Sequence, residues 1–228
     1  AGLGVHIRYA TQRHQRGTAD AVAAARDLVT GPFLVMNGDM ILKREDIADL
    51  CKKDPECMSV STTDHPGDYG VVLAESGQIT SLEEKSQQPK SNLINAGAYL
   101  FSTEIFNRID HVHPSPRGEL ELTDALTGLI TDRQLQAHQL SYWMDVGHPW
   151  DMLDANVTLM EKLDPVRHGT IESGVHLENT VAVGEGTVIK SGTYIEGPCI
   201  IGKNCRIGPH TYIRGATSIG DNCHVGHS

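Results

Sequence analysis

Two aspartates set beside glycines carry the clearest chemical signal in this chain. Asp39 closes the triplet Asn37-Gly38-Asp39, and Asp145 opens the triplet Asp145-Val146-Gly147. Each triplet follows a short apolar stretch, 33–36 in the first case and 142–144 in the second. A carboxylate at such a place can hold a hard cation through oxygen, and glycine lets backbone approach a ligand closely. Asp beside Gly is also ordinary turn chemistry, so a turn accounts for either loop taken alone. Lys85, after Glu83 and Glu84, is open to two readings in the same way: a point charge for an anion, or a solvated charge.

The elements that must position these residues alternate. Val5, Ile7 and Tyr9 alternate with polar residues and predict a strand. An Ala-rich run predicts a helix over 18–28, with Thr18 near its start. Strands are expected at 33–36, 58–63, 70–74 and 94–101, and helices at 44–53, 119–131 and 151–163, the last with Pro149 in its first turn. Strands alternating with helices imply an α/β layer fold with a mostly parallel sheet, whose ligands lie beyond the carboxyl ends of the strands. The segment from Pro165 to Gly169 is the natural boundary, giving domains 1–165 and 166–228.

The second domain reads as ten consecutive hexapeptides from Gly169. Their third positions are Ile171, Leu177, Val183, Ile189, Ile195, Ile201, Ile207, Ile213, Ile219 and Val225. Fixed-period self-similarity marks a solenoid. A six-residue period fits an all-β parallel β-helix in which each hexad forms one flat face with one aliphatic residue inward. Coils of 18 residues then stack about 4.8 Å apart. First positions are mostly Thr, Cys or Val, small enough to sit beside the inward stack. The repeat stops in phase at Ser228 with no polar cap, so a further coil or another chain is expected to cover that end.

Composition narrows the function. Net charge is −10, from 29 acidic and 19 basic residues, with no basic run. Nucleic acid and anionic membrane are therefore excluded as expected partners, and anionic substrates would need a mediating cation. Five cysteines without a framework point to a reducing compartment, consistent with the cytoplasm. Cys199, Cys205 and Cys223 fill first hexad positions, where a small buried side chain is required. The twelve histidines form no metal pattern; His210, His224 and His227 are expected to be exposed on the solenoid.

The segments QRHQRGTADAV (12–22), FLVMNGDMIL (33–42), DYGVV (68–72), EEK (83–85), INAGAYLF (94–101), GELELTDAL (118–126) and YWMDVGHPWDMLDAN (142–156) complete the picture. In this order they resemble sugar-phosphate nucleotidylyltransferases. Joined to hexapeptide repeats, they are similar to the long forms: archaeal bifunctional nucleotidylyltransferase/acetyltransferases and N-acetylglucosamine-1-phosphate uridylyltransferases. The resemblance implies a Rossmann-like nucleotidyltransferase sheet, here lacking its first β-α-β unit, followed by a left-handed parallel β-helix. It implies transfer of a nucleotidyl group from UTP or dTTP to a sugar 1-phosphate, with Mg2+. Gln12, Gly17, Thr18 and Gly38 match the nucleotide side. Gly70, Glu84, Asn95, Gly97 and Gly147 match positions around the sugar phosphate. Asp39 and Asp145 match the metal carboxylates, and Lys85 the catalytic lysine that holds the attacking phosphate.

The chain departs from the family pattern in three places. It shows no glycine-rich phosphate loop, so it is expected to be inactive by itself. Ser86 stands where Pro usually follows Glu-Lys, and His148 where Thr or Arg is common. A solenoid acetyltransferase acting on an amino-sugar phosphate and a non-catalytic regulatory subunit of the same plan are the alternatives. Family members resembling this one trimerise through the β-helix, so a homotrimer is expected.

Overall fold

In the computed structural model, residues 4–226 are described, so His227 lies outside the described residues. The chain divides into two compact units, one ending at Asp145 and one beginning at Val146.

The first unit contains α1 (Thr18–Ala23), β1 (Phe33–Met36), β2 (Met40–Leu42), α2 (Arg44–Leu50), β3 (Cys57–Thr62), β4 (Gly70–Glu75), β5 (Gln78–Glu84), β6 (Leu93–Phe101), α3 (Ile105–Ile109), α4 (Leu122–Thr131), β7 (Gln136–Gln139) and β8 (Trp143–Asp145). Its main sheet runs in the order β1-β6-β3-β7-β5-β4, and β2 pairs with β8 as a separate ribbon. Met58, Ile79, Phe101, Ile105, Leu126 and Leu135 form the larger core, with α1, α3 and α4 packed on it. A smaller cluster of Leu50, Cys57, Ala98 and Leu100 joins α2 and β2 to the sheet.

The sheet is mixed, which corrects the expectation of a mostly parallel one. Only β3 and β7 pair in parallel; β6 runs antiparallel to β1, β3 and β4. Part of the reason is connection length: β4 turns into β5 through a tight hairpin, which forces that pair to be antiparallel, and β6 then pairs with the other edge of β4 in the antiparallel sense as well. The strand expected at Val5, Ile7 and Tyr9 is not formed. These side chains are 69%, 52% and 88% exposed, and no strand among the described residues pairs with them. An alternating pattern alone supplies no partner for backbone N–H and C=O groups, so that stretch stays outside the sheet. The helix expected over 119–131 starts later, at Leu122, because residues before it are extended: Leu120 N–H donates to Arg16 O at 2.6 Å and Ala19 N–H donates to Leu120 O at 2.9 Å.

In the second unit, α5 (Asp151–Met160) precedes the solenoid and packs on it. Asn156 Nδ2 donates to Ala216 O at 2.8 Å, and Ala155 and Met160 are buried. Strands two or three residues long stack in parallel with a register of 18, as in Val181↔Cys199↔Thr217. Three such stacks form three faces. Ile189, Ile195, Ile201 and Ile207 are fully buried, as the hexad pattern requires. First-position residues link successive coils: Thr187 Oγ1 donates to Gly202 O at 2.6 Å and accepts from Cys205 N–H at 2.9 Å. The cysteines are free thiols, and burial pushes Cys199 up to about 11, so it is an inert packing residue. Truncating one link of the inward stack, Ile195→Ala, is expected to cost about 2–5 kcal/mol. Urea denaturation followed by far-UV circular dichroism measures that loss.

Candidate active site at a bulge in β6

The site is organised by an irregularity in the central antiparallel strand. Along β3 the partner of Met58 is Tyr99, yet the partner of Val60 is Asn95. Three residues of β6, Ala96 to Ala98, therefore face Ser59 alone. Buried Ser59 meets the bulge with its side chain, Oγ accepting from Ala98 N–H at 2.9 Å. Gly97 adopts φ +78°, a left-handed conformation that suits glycine. A Cβ there would also stand 2.7 Å from Asn37 Nδ2. Asn95 stiffens the bulge, its Oδ1 accepting from Gly97 N–H at 3.1 Å and its Nδ2 donating to Tyr99 Oη at 2.8 Å.

Both aspartate loops hang on this bulge. Asn37 N–H donates to Gly97 O at 2.9 Å, and Trp143 Nε1 donates to Ala96 O at 3.0 Å. The ribbon of β2 and β8 then sets Met40 opposite Asp145 and Leu42 opposite Trp143. Asp39, one residue before Met40, thus stands beside Asp145 at the same end of the ribbon. Asp39 is exposed and Asp145 half-buried. Tyr69 Oη donates to Asp145 Oδ2 at 3.2 Å. Among the described residues no group of three or more His, Cys, Asp or Glu gathers as a metal cage. Asp39 and Asp145 supply two carboxylates, a set that could hold a hard divalent cation with water completing its shell.

Gly70, Glu84 and Asn95 converge next to the bulge. Gly70 pairs with Glu84 across β4 and β5, and a Cβ on Gly70 would meet Glu84 Oε2 at 3.3 Å and Asn95 Cβ at 3.4 Å. Lys85 follows at once, exposed, with φ +48° and its N–H donating to Tyr69 O at 3.0 Å. Burial holds the Glu84 carboxyl above the ordinary glutamate range, and the Glu121 carboxylate pushes the same way, against Arg117 and Lys85. Glu121 is itself buried, taking Arg117 Nη2 at 2.8 Å and Ser115 Oγ at 3.1 Å. Asp124 is also raised, by burial first and Glu121 second. Gly147 lies in the second unit and is exposed.

Gln12, Gly17 and Thr18 form a separate cluster. Gln12 Nε2 donates to Gly17 O at 3.1 Å and to Asp20 Oδ2 at 2.8 Å. Gly17 has φ +125°, and a Cβ there would run into the Leu120 backbone. Thr18 Oγ1 accepts from Leu122 N–H at 2.9 Å, so it opens α4 rather than capping its own helix. Thr18 also lines an apolar cavity of about 550 Å3 that Asn37 shares, which links this cluster to the Asp39 loop. Gly38 is exposed, and a Cβ there would meet nothing within 4 Å.

Sequence reading missed Asp46, Tyr69 and Glu121 as parts of the site. Asp46, buried near the start of α2, accepts from Ser141 N–H at 3.1 Å, Ser141 Oγ at 3.0 Å and Tyr142 N–H at 3.2 Å, and so fixes the entry to β8. No local pattern announces a carboxylate bonded 95 residues away.

Two consequences are measurable. Gly97→Ala combines left-handed strain with a clash on Asn37, and is expected to cost about 1–3 kcal/mol while displacing the Asp39 loop. Denaturant melts and amide exchange at residues 37–40 read both effects. Glu84 binds its proton more tightly folded than unfolded. Its contribution to stability is therefore lost as pH rises from the ordinary value, 4.5, through the raised one. Glu84→Gln is expected to flatten that fall, read as melting temperature from about pH 4 to about pH 7.

Comparison with known proteins agrees with this architecture. A family model described as nucleotidyl transferase matches residues 1–162, and one described as bacterial transferase hexapeptide (six repeats) matches residues 198–228. The bifunctional protein GlmU of Methanocaldococcus jannaschii is 42% identical over 184 residues, covering 80% of this chain and 45% of that protein. A bifunctional sugar-1-phosphate nucleotidylyltransferase/acetyltransferase of Sulfurisphaera tokodaii is 35% identical over 188 residues, covering 80% of this chain and 46% of that one. The chain thus spans less than half the length of these curated relatives. A Bacillus anthracis crystal structure, described as a putative glucose-1-phosphate thymidylyltransferase in complex with a sucrose, superposes with a TM-score of 0.57 at 27% identity, over 67% of this chain and 64% of that chain. The match across residues 1–162 places the chain in the nucleotidyl transferase family, with a left-handed β-helix of hexapeptide repeats following that domain.

Proposed function

We propose that this chain carries the metal and sugar-phosphate side of a site that transfers a nucleotidyl group from UTP or dTTP to a sugar 1-phosphate. The observation that carries the proposal is the β6 bulge, which holds the Asp39 and Asp145 loops beside Gly70, Glu84 and Asn95. Relatives named for nucleotidyl transfer to sugar 1-phosphates support the same reading.

A phosphate oxygen of the sugar 1-phosphate attacks the α-phosphorus of the triphosphate. The bond to the bridging oxygen of the β-phosphate breaks, and pyrophosphate leaves with the electron pair. Two anions must meet in line, so positioning and charge neutralisation supply the catalysis and no protein nucleophile is needed. Lys85 holds the attacking phosphate as a point charge. Glu84 and Asn95 accept and donate hydrogen bonds to sugar hydroxyls, and Gly70 leaves room for the ring. Asp39 and Asp145 would hold Mg2+, which supplies charge neutralisation between the phosphates when bound. Gln12 would read the pyrimidine, a contact that requires exchanging its bonds to Gly17 and Asp20. A cytoplasmic homotrimer built through the β-helix completes the proposal.

In the whole gene product, Asp39→Ala and Asp145→Ala are each expected to lower pyrophosphate release about 100-fold, the scale of roughly 3 kcal/mol of lost charge stabilisation. UTP or dTTP should turn over and ATP should not. Near-normal release by both variants would overturn the metal assignment, and equal use of all nucleotides would overturn the assignment of Gln12.

A further inference from the structure

Tyr69 touches both halves of the candidate site through opposite ends of one residue. Its carbonyl accepts from Lys85 N–H at 3.0 Å, and its hydroxyl donates to Asp145 Oδ2 at 3.2 Å. Its ring lies edge-on to Trp143, with centroids 5.2 Å apart and planes at 82°. Trp143 is the residue whose indole bonds the bulge at Ala96 O. The main chain on either side of Tyr69 is equally constrained. Residues Pro66–Asp68 form a single 3-10 turn, Tyr69 N–H donates back to Pro66 O at 3.2 Å, and Pro66 is buried. The turn is tight against the lysine loop, since a Cβ on Gly67 would stand 3.2 Å from Ser86 O.

Lys85 needs such support. A lysine at φ +48° sits in a region that side-chain-bearing residues visit rarely, and its conformation persists only where the surroundings over-determine it. Asp145 needs it too. A half-buried carboxylate can swing about its side-chain torsions, and the phenol fixes which oxygen stays free for a cation. Packing against Trp143 alone would be satisfied by phenylalanine, so the hydroxyl is what a purely structural role does not use.

We propose that Tyr69 is a positioning residue that registers the Asp145 carboxylate against the Lys85 loop, so that cation and attacking phosphate are held at one fixed separation. The inference rests on the reading of Asp145 as a metal carboxylate. It adds a residue that touches neither the reacting atoms nor the substrate, and acts through the two groups that do.

The test uses Mn2+ as the probe, with free ion counted by electron paramagnetic resonance, on wild type, Tyr69→Phe, Asp39→Ala and Asp145→Ala. Thermal melts of each run alongside. Tyr69→Phe keeps the ring and the backbone bond to Lys85, so its melt is expected to match wild type. Its Mn2+ affinity is expected to fall about 10-fold, the usual cost of removing a hydrogen bond to a metal ligand. Both aspartate variants should lose the site. In turnover, Tyr69→Phe should need more Mg2+ for half-maximal rate and should stay below the wild-type rate at saturating Mg2+, because the carboxylate is no longer registered against the Lys85 loop. Mn2+ binding by Tyr69→Phe equal to wild type, with binding lost in Asp145→Ala, would overturn the role of Tyr69 and leave the metal assignment standing. Wild-type affinity in both aspartate variants would overturn the metal assignment, and the inference with it. Should Tyr69→Phe melt early, Tyr69→Leu serves as the second variant: its side chain can neither donate to Asp145 nor bind a metal, and unchanged Mn2+ affinity in it overturns the proposal as well.

Discussion

One backbone distortion sets the geometry of the first unit. The bulge at Ala96 to Ala98 breaks the ladder between β3 and β6, and the carbonyls of Ala96 and Gly97 accept from Trp143 and Asn37 instead of a neighbouring strand. Two loops more than 100 residues apart in sequence are thereby tied to adjacent residues of one strand. Bulges bend a strand and re-aim what it carries. Here glycine makes the conformation accessible, Ser59 satisfies the stranded amide, and Asn95 braces the turn from its own side chain. An unbroken β6 would pair its carbonyls within the sheet and leave neither loop a point of attachment.

The electrostatics around that bulge run against the proposed substrates. Glu84, Glu121 and Asp124 crowd one region, and two of the three are held above their usual values by burial and by one another. A phosphate arriving there meets like charge. Arg117 is committed to Glu121, so under the proposed function the offset falls to Lys85 and to a cation that Asp39 and Asp145 would hold. Under the proposed function, acidic surroundings of this kind would favour neutral, hydroxyl-rich groups at Glu84 and keep the anionic part of a ligand on the side of Lys85 and Asp145. In the proposed site a sugar phosphate would thus be oriented by repulsion as well as by attraction.

How much of this the chain announces depends on the range of the interaction. The solenoid is legible throughout, because each coil repeats the same local requirement and Ile189 through Ile207 fill positions that the period names in advance. Strand β7, with the sequence Gln136-Ala137-His138-Gln139, is not legible. Its polar residues sit between β3 and β5, held there by Leu135 and Leu140 on either side, and no alternation marks it. Strand direction is hidden for the same reason: the hairpin between β4 and β5 and the reversal of β6 are matters of pairing, which alternation of strands and helices does not report. The aspartates, Lys85 and Gly97 stand out in sequence by type and neighbourhood. Asp46 and Tyr69, which hold them, do not, because their partners lie 95 and 76 residues away.

The register of 18 in the solenoid constrains how such a chain can change. Each residue bonds to the one a full coil later, so Val181 meets Cys199 and Cys199 meets Thr217. Inserting one residue within a face shifts every later side chain out of phase, turning aliphatic residues outward and charges inward. Removing 18 residues together keeps the register and the inward or outward phase of every later position. The length of this part of the protein is therefore quantised: evolution or an engineer can trim or extend it by whole coils, while intermediate lengths are selected against by the core itself.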